Sequence, residues 1–181
     1  MRNLKILTLP NLLSLFRLLL IPVILWLYTV KQDPLWTTVM LTLSGITDIA
    51  DGMIARKFHM ITDFGKAFDP VADKLTQLAM LLCLVTRFPR MLLPLILLTG
   101  KELFAAVTGL LVIRKTGIVS GAAWHGKAAT VSLYSLIVLH LLWYQIPPAV
   151  SGILIGTCSA VMLLSAILYG IGNLRVLFHR E

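Results

Sequence analysis

The sequence predicts an all-α integral membrane protein of six transmembrane helices, preceded by a short N-terminal interfacial segment. Three observations carry that expectation. Of 181 residues, 58% are hydrophobic and only 13% are charged, against roughly a quarter charged in an average soluble domain. The apolar residues fall in long runs, not in the short alternating patterns of a membrane barrel strand. The Lys and Arg residues flank those runs, as residues that set membrane topology do.

Each span needs about 20 residues. Six fit, at Leu12–Val30, Leu35–Ala55, Asp69–Val85, Leu92–Ile113, Ala128–Tyr144 and Val150–Leu168. Turn and charge signals separate them: "KQDP", "ARKFHMITDFG", "TRFPR", "RKTGIVSGAAWHG" and "QIPP". The opening "MRNLKILTLPN" is basic and leucine-rich and is expected to lie at the interface. Arg17 interrupts the first run and no small-residue cleavage site follows, so that run reads as a retained span. Residues 1–181 read as a single domain.

With the N-terminus inside, ten cations share the cytoplasmic side: Arg2, Lys5, Arg56, Lys57, Lys66, Arg114, Lys115, Lys127, Arg175 and Arg180. Lys31, Arg87 and Arg90 hold the other side. This bias predicts that both termini are cytoplasmic. The formal charge of +8 is therefore assigned to membrane lipids and topology, and not to nucleic acid. Cys83 and Cys158 lie in apolar runs and imply neither a disulfide nor a zinc site. Trp26, Trp36, Trp124 and Trp143 stand near span ends, as interfacial anchors do.

The acidic residues are distributed very differently. The chain has eight, and four of them are Asp48, Asp51, Asp69 and Asp73. On a helix, Asp48, Asp51, Gly52, Ala55 and Arg56 occupy offsets 0, 3, 4, 7 and 8, a single face. Gly65, Asp69 and Asp73 step by four, again one face. The second helix is capped at Thr62 or Asp63 and bent early by Pro70, or else Asp69 is the cap with Pro70 at the first position.

Carboxylates converging between membrane helices require protons, basic partners or cations. All-oxygen ligation by Asp suits hard ions, Mg²⁺ or Mn²⁺. Four aspartates are enough to bridge two such ions about 3.5–4 Å apart, an arrangement suited to phosphoryl displacement. Gly52 and Gly65 let a bulky ligand approach the backbone, and Arg56 can pair with a phosphate. A carboxylate-lined cation or proton transporter is the rival class, but it leaves Gly52, Arg56 and Gly65 without a purpose.

The pattern Asp48-x-x-Asp51-Gly52-x-x-Ala55-Arg56, eight residues, Gly65-x-x-x-Asp69-x-x-x-Asp73 resembles the signature of the CDP-alcohol phosphatidyltransferases at every fixed position. The resemblance implies transfer of phosphatidyl from CDP-diacylglycerol to an alcohol, with release of CMP. It implies that Asp48, Asp51, Asp69 and Asp73 hold two divalent cations and that Asp73 is the base for the acceptor hydroxyl. Gly52, Ala55, Arg56 and Gly65 correspond to nucleotide-binding positions. A homodimer is implied as well.

The acceptor is less sharply indicated. "LPNLLSLFRLLLIPV" and "DFGKAFDPVADKL" resemble bacterial phosphatidylglycerophosphate synthases, which points to glycerol 3-phosphate. Where many of those enzymes carry Arg-Glu in the fourth span, this chain has Lys101-Glu102. Gly109 stands where a second Arg is common, and the "GK-x-K-T" stretch reads Gly126-Lys127-Ala128-Ala129-Thr130. These departures leave phosphatidylglycerol, the acceptor of a cardiolipin synthase, as the alternative. Lys101, Arg114 and Lys127 are the candidate anion-binding residues.

Five further residues carry expectations of their own. Lys101 and Glu102 are adjacent, about 100° apart on a helix, and are not expected to pair. Arg17 is expected either to snorkel or to contact lipid phosphate. Lys74 is expected to reduce local negative charge, and His125 to be a loop or interface histidine.

Overall fold

The computed structural model describes residues 9–57, 63–116, 124–143 and 145–178, and every regular element in them is helical. They fall into two compact units, residues 1–83 and 84–181.

In the first unit, α1 spans Leu9–Trp26 and continues as a π-helical turn over Leu27–Lys31. Gln32 ends it in the left-handed conformation, with φ 51° and ψ 37°. Asp33 then caps α2 (Pro34–Lys57): its Oδ1 accepts the Trp36 N–H at 3.0 Å, and Pro34 takes the first helical position. "KQDP" thus stops one helix and starts the next.

α1 packs along α2. Thr37, Leu41 and Ser44 are buried in steps of four and three, and Asp48 is the next position on that stripe. Ser14, Arg17, Leu20 and Ile24 form the buried face of α1. The buried threonines satisfy their hydroxyls on their own helix, Thr37 on the Asp33 carbonyl at 2.6 Å and Thr38 on that of Pro34 at 2.7 Å.

The third helix, α3, spans Asp63–Arg87 and crosses the boundary between the units. It begins six residues before Asp69, so Asp69 and Pro70 lie within the helix and Asp69 is not its cap. Pro70 removes one backbone hydrogen bond without ending the helix. Thr62, the other proposed cap, and the interfacial residues 1–8 lie outside the described residues.

After the end of α3, the second unit continues with a 3₁₀ turn at Pro89–Met91, where "TRFPR" predicts a break. α4 (Leu92–Thr116) and α5 (Trp124–Leu142) each pack on α6 (Pro148–Phe178). Polar bonds tie these helices together. Asn173 Nδ2 donates to Thr108 Oγ1 at 2.8 Å, and His140 Nε2 lies 2.9 Å from Ser151 Oγ. In an apolar surrounding, such polar pairs have no water to compete for them.

Six α-helices correspond to the six expected segments among the described residues. Three stretches are long and apolar enough to cross a membrane: Leu12–Lys31, Pro89–Lys115 and Pro148–Val176. α2 and α3 carry the aspartates, and α5 has only 19 residues and opens on "WHGK", which sets these helices apart. Leu19, Leu35, Leu103 and Ile153 are among the many large apolar side chains facing outward, as expected of a surface that meets hydrocarbon. Cys83 and Cys158 are buried free thiols, and Trp26, Trp36, Trp124 and Trp143 are all exposed.

Candidate active site

The backbone of α2 is helical through Lys57 and that of α3 from Asp63. Asp48, Asp51, Gly52, Ala55 and Arg56 therefore share one face of α2, and Gly65, Asp69 and Asp73 share one face of α3. All belong to the first unit. The side chains of Asp51, Arg56 and Asp69 lie outside the described residues. Asp48 and Asp73 are the two carboxylates of the motif whose surroundings can be described.

Asp48 Oδ1 lies 2.5 Å from Arg17 Nη1. The Arg17 side chain is 1% exposed and that of Asp48 is 44% exposed. A guanidinium taken out of water needs a counter-charge, and the α1–α2 packing supplies one from the acidic motif itself. Arg17 therefore does not snorkel to a headgroup, because an inward path to Asp48 satisfies the charge at its own depth. Asp48 still presents a carboxylate to solvent, and its two oxygens together accept about four hydrogen bonds or metal contacts.

Asp73 Oδ2 accepts a hydrogen bond from Gln77 Nε2 at 2.9 Å. Lys74 Nζ is 4.0 Å from the same oxygen, a loose pair between partly exposed groups that offsets local negative charge. Gln77 is fully buried and extends the Gly65, Asp69, Asp73 stripe by one more step of four. That step was visible in the spacing, but a neutral residue in an apolar run carries no charge signal.

The candidate anion-binding residues belong to the second unit. Lys101 is buried on α4, and its Nζ lies 3.0 Å from Glu102 Oε1. The pairing corrects the expectation drawn from their angular separation. The flexible four-carbon stem lets a buried ammonium bend to the nearest carboxylate, and the cost of an unpaired charge outweighs the awkward direction.

Arg114 and Lys115 occupy the last turn of α4, where cations complement the carbonyl end of a helix. Lys115 Nζ also donates to the Val176 carbonyl at 3.3 Å. Lys101 and Arg114 stand thirteen residues apart on one helix, about 20 Å along its axis, so they are not neighbours on it. Lys127 is exposed in the first turn of α5. His125 sits in that same turn, its Nδ1 3.2 Å from Ser165 Oγ and its ring edge-on to Tyr169. These contacts seat His125 in α5 against α6, so it is a helix residue and not a loop one.

The donor set bears on the metal question. The motif carboxylates are hard oxygen donors on single faces of two continuous helices, a set that fits Mg²⁺ or Mn²⁺ and not a soft metal. Asp48 and Asp73 both retain partial exposure in keeping with that role.

Apolar helices and an aspartate motif in this register define a membrane-bound phosphatidyltransferase class. Residues 7–170 match the family described as CDP-alcohol phosphatidyltransferase, and the chain belongs to that family. It is similar to a cardiolipin synthase (CMP-forming) of Streptomyces coelicolor, 35% identical over 145 residues, covering 76% of this chain and 66% of that one. It is 45% identical over 69 residues to a CDP-diacylglycerol--glycerol-3-phosphate 3-phosphatidyltransferase of Rickettsia typhi, 37% of this chain and 39% of that one. A Bacillus subtilis protein of the same name is 33% identical over 156 residues, 76% of this chain and 80% of that one. The chain spans just under two thirds of the length of the Streptomyces relative and about two fifths of that of the Rickettsia one.

Proposed function

We propose that this protein transfers phosphatidyl from CDP-diacylglycerol to glycerol 3-phosphate, forming phosphatidylglycerophosphate and releasing CMP. The observation that carries the reading is the complete acidic motif on continuous α2 and α3 within a chain of this family. Relatives named for this reaction, from Rickettsia typhi and Bacillus subtilis, support the acceptor. Family membership also removes the reason to prefer an ion pathway through the aspartates.

Asp48, Asp51, Asp69 and Asp73 would hold two divalent cations, Mg²⁺ or Mn²⁺, which supply neutralisation of the pyrophosphate and stabilisation of the leaving CMP. Gly52, Ala55, Arg56 and Gly65 receive the nucleotide. Asp73 takes the proton of the acceptor hydroxyl as its oxygen forms a bond to the β-phosphorus and the bond from that phosphorus to the CMP oxygen breaks. Lys101 and Lys127 are the proposed cations for an anionic acceptor; Arg114, about 20 Å along α4 from Lys101, is too distant to share one small phosphate with it. Lys presents a point charge and not the fork of Arg, so the pocket differs in detail from one built on Arg-Glu.

The wider frame belongs to the same proposal: one domain over residues 1–181, six membrane spans, both termini and the site on the cytoplasmic side, and a homodimer. A soluble nucleotide then enters from the cytoplasm while the acyl chains stay in lipid.

A second reading rests on the sequence departures at Lys101 and Gly109, which leave room for phosphatidylglycerol as acceptor. The Streptomyces cardiolipin synthase and the Bacillus subtilis relative each match 76% of this chain and do not separate the two. One experiment separates the two. Purified protein is given CDP-diacylglycerol and Mg²⁺ or Mn²⁺ with glycerol 3-phosphate, phosphatidylglycerol, inositol phosphate or serine in separate reactions. CMP release and phosphatidylglycerophosphate with glycerol 3-phosphate alone is the expected result. Cardiolipin from phosphatidylglycerol instead establishes the second reading, and no CMP with any alcohol rejects both.

A further inference from the structure

Gln77 is the one carboxamide among the fully buried side chains of the described residues. Its neighbours on the buried face of α3 are Ala72, Thr76, Met80, Leu81 and Leu84. Thr76 satisfies its hydroxyl on the Ala72 carbonyl of its own helix at 3.0 Å. Gln77 reaches Asp73 instead, donating Nε2–H to Oδ2 at 2.9 Å. A carboxylate only accepts, so the amide nitrogen must face it. The amide oxygen is then left in the interior with no partner among the described residues. A buried acceptor without a partner destabilises a fold, so packing does not explain why Gln stands at this position.

We propose that Gln77 is a positioning residue for the transfer reaction, holding the Asp73 carboxylate in one orientation on the acidic face of α3. The proposal rests on the assignment of Asp73 as the base. Helix geometry makes the arrangement self-contained, since residues four apart on one helix are neighbours and the bond needs no other element to form it. Burial gives it rigidity, because an amide at 0% exposure has neither water to exchange with nor room to change rotamer. An Asp73 so held is restrained before the acceptor arrives, and restraint of a reacting group is what raises the rate of a chemical step.

The test compares wild type with Gln77→Met and Gln77→Glu in detergent, measuring CMP release, substrate KM values and thermal unfolding. Gln77→Met keeps the shape and removes both the donor and the unpartnered oxygen. It should unfold at the wild-type temperature or above it, lose about 10–100-fold in kcat and leave the KM for CDP-diacylglycerol within about twofold. Gln77→Glu keeps the shape, replaces the donor by a carboxylate beside Asp73 and should lose kcat at least as severely. A purely structural role gives the opposite pattern, activity falling only in step with the unfolding temperature, and that result overturns the proposal. Wild-type turnover in Gln77→Met also overturns it while leaving phosphatidyl transfer standing. Wild type that releases no CMP overturns the assignment of Asp73 and this role together.

Discussion

Arg17 and Asp48 meet at 2.5 Å across the packing of α1 on α2, the arginine enclosed and the aspartate partly open. The first helix therefore reaches into the acidic motif, and its one intramembrane cation is committed to one of the four aspartates. Replacing Arg17 by Met should destabilise the folded protein by roughly 1–3 kcal/mol, below the 3–5 kcal/mol of a fully enclosed pair because Asp48 remains wetted. Arg17→Lys should recover part of that. Denaturant unfolding in mixed micelles measures both, and equal stability of Arg17→Met and wild type would contradict the inference.

Asp73→Asn should reduce CMP release by about 10²–10⁴-fold while the protein inserts and unfolds as wild type does. The asparagine oxygen can still accept from Gln77 Nε2, so the local packing is preserved. Near-normal turnover in this variant would remove Asp73 from the reaction.

Chelation of divalent ions should abolish CMP release, and Mg²⁺ or Mn²⁺ should restore it. The two ions differ little in ligand preference, and both suit carboxylates. Turnover that persists after exhaustive chelation would separate the aspartates from metal binding.

Lys101→Met should raise the KM for glycerol 3-phosphate about tenfold or more and leave that for CDP-diacylglycerol unchanged. Glu102→Gln should alter the same constant, because Lys101 then loses its partner at 3.0 Å. Steady-state kinetics with each substrate varied in turn reads the split. A change confined to the CDP-diacylglycerol constant would place Lys101 elsewhere in the reaction.

Gly126 is set by close approach. A Cβ there would lie 2.7 Å from Tyr169 Oη and 3.1 Å from its ring. Gly126→Ala should cost little, since the tip of Tyr169 can swing away. Gly126→Val should lower stability by about 1–3 kcal/mol, the usual penalty of overpacking, and Tyr169→Ala should relieve much of it. Thermal unfolding of the two single variants and the double variant checks this.

What the sequence made legible follows from range. "KQDP" announced its break because the cap of Asp33 and the fixed φ of Pro34 act over three or four residues. The aspartate spacing was legible for the same reason, as a helical face is a local property. Arg17 was ambiguous because its partner lies 31 residues away and only the packing of α1 on α2 joins them. Lys101 with Glu102 shows a local rule overridden, since angular separation does not register how much an enclosed ammonium gains from a counter-charge. Pro70 suggested a helix start, yet the helix begins at Asp63 and carries it internally. Gln77 was passed over because pattern reading weighs charges and glycines, and a carboxamide is neither.

The last helix has a consequence for the setting in which the protein works. α6 holds 31 residues, a rod of about 46 Å beside a hydrocarbon layer of about 30 Å. Its apolar stretch, Pro148–Val176, also exceeds that layer, so the helix must lean, protrude or thicken the bilayer around it. α4 and α5 both pack on it. The thickness of the surrounding lipid thus bears on all three helices of the second unit at once.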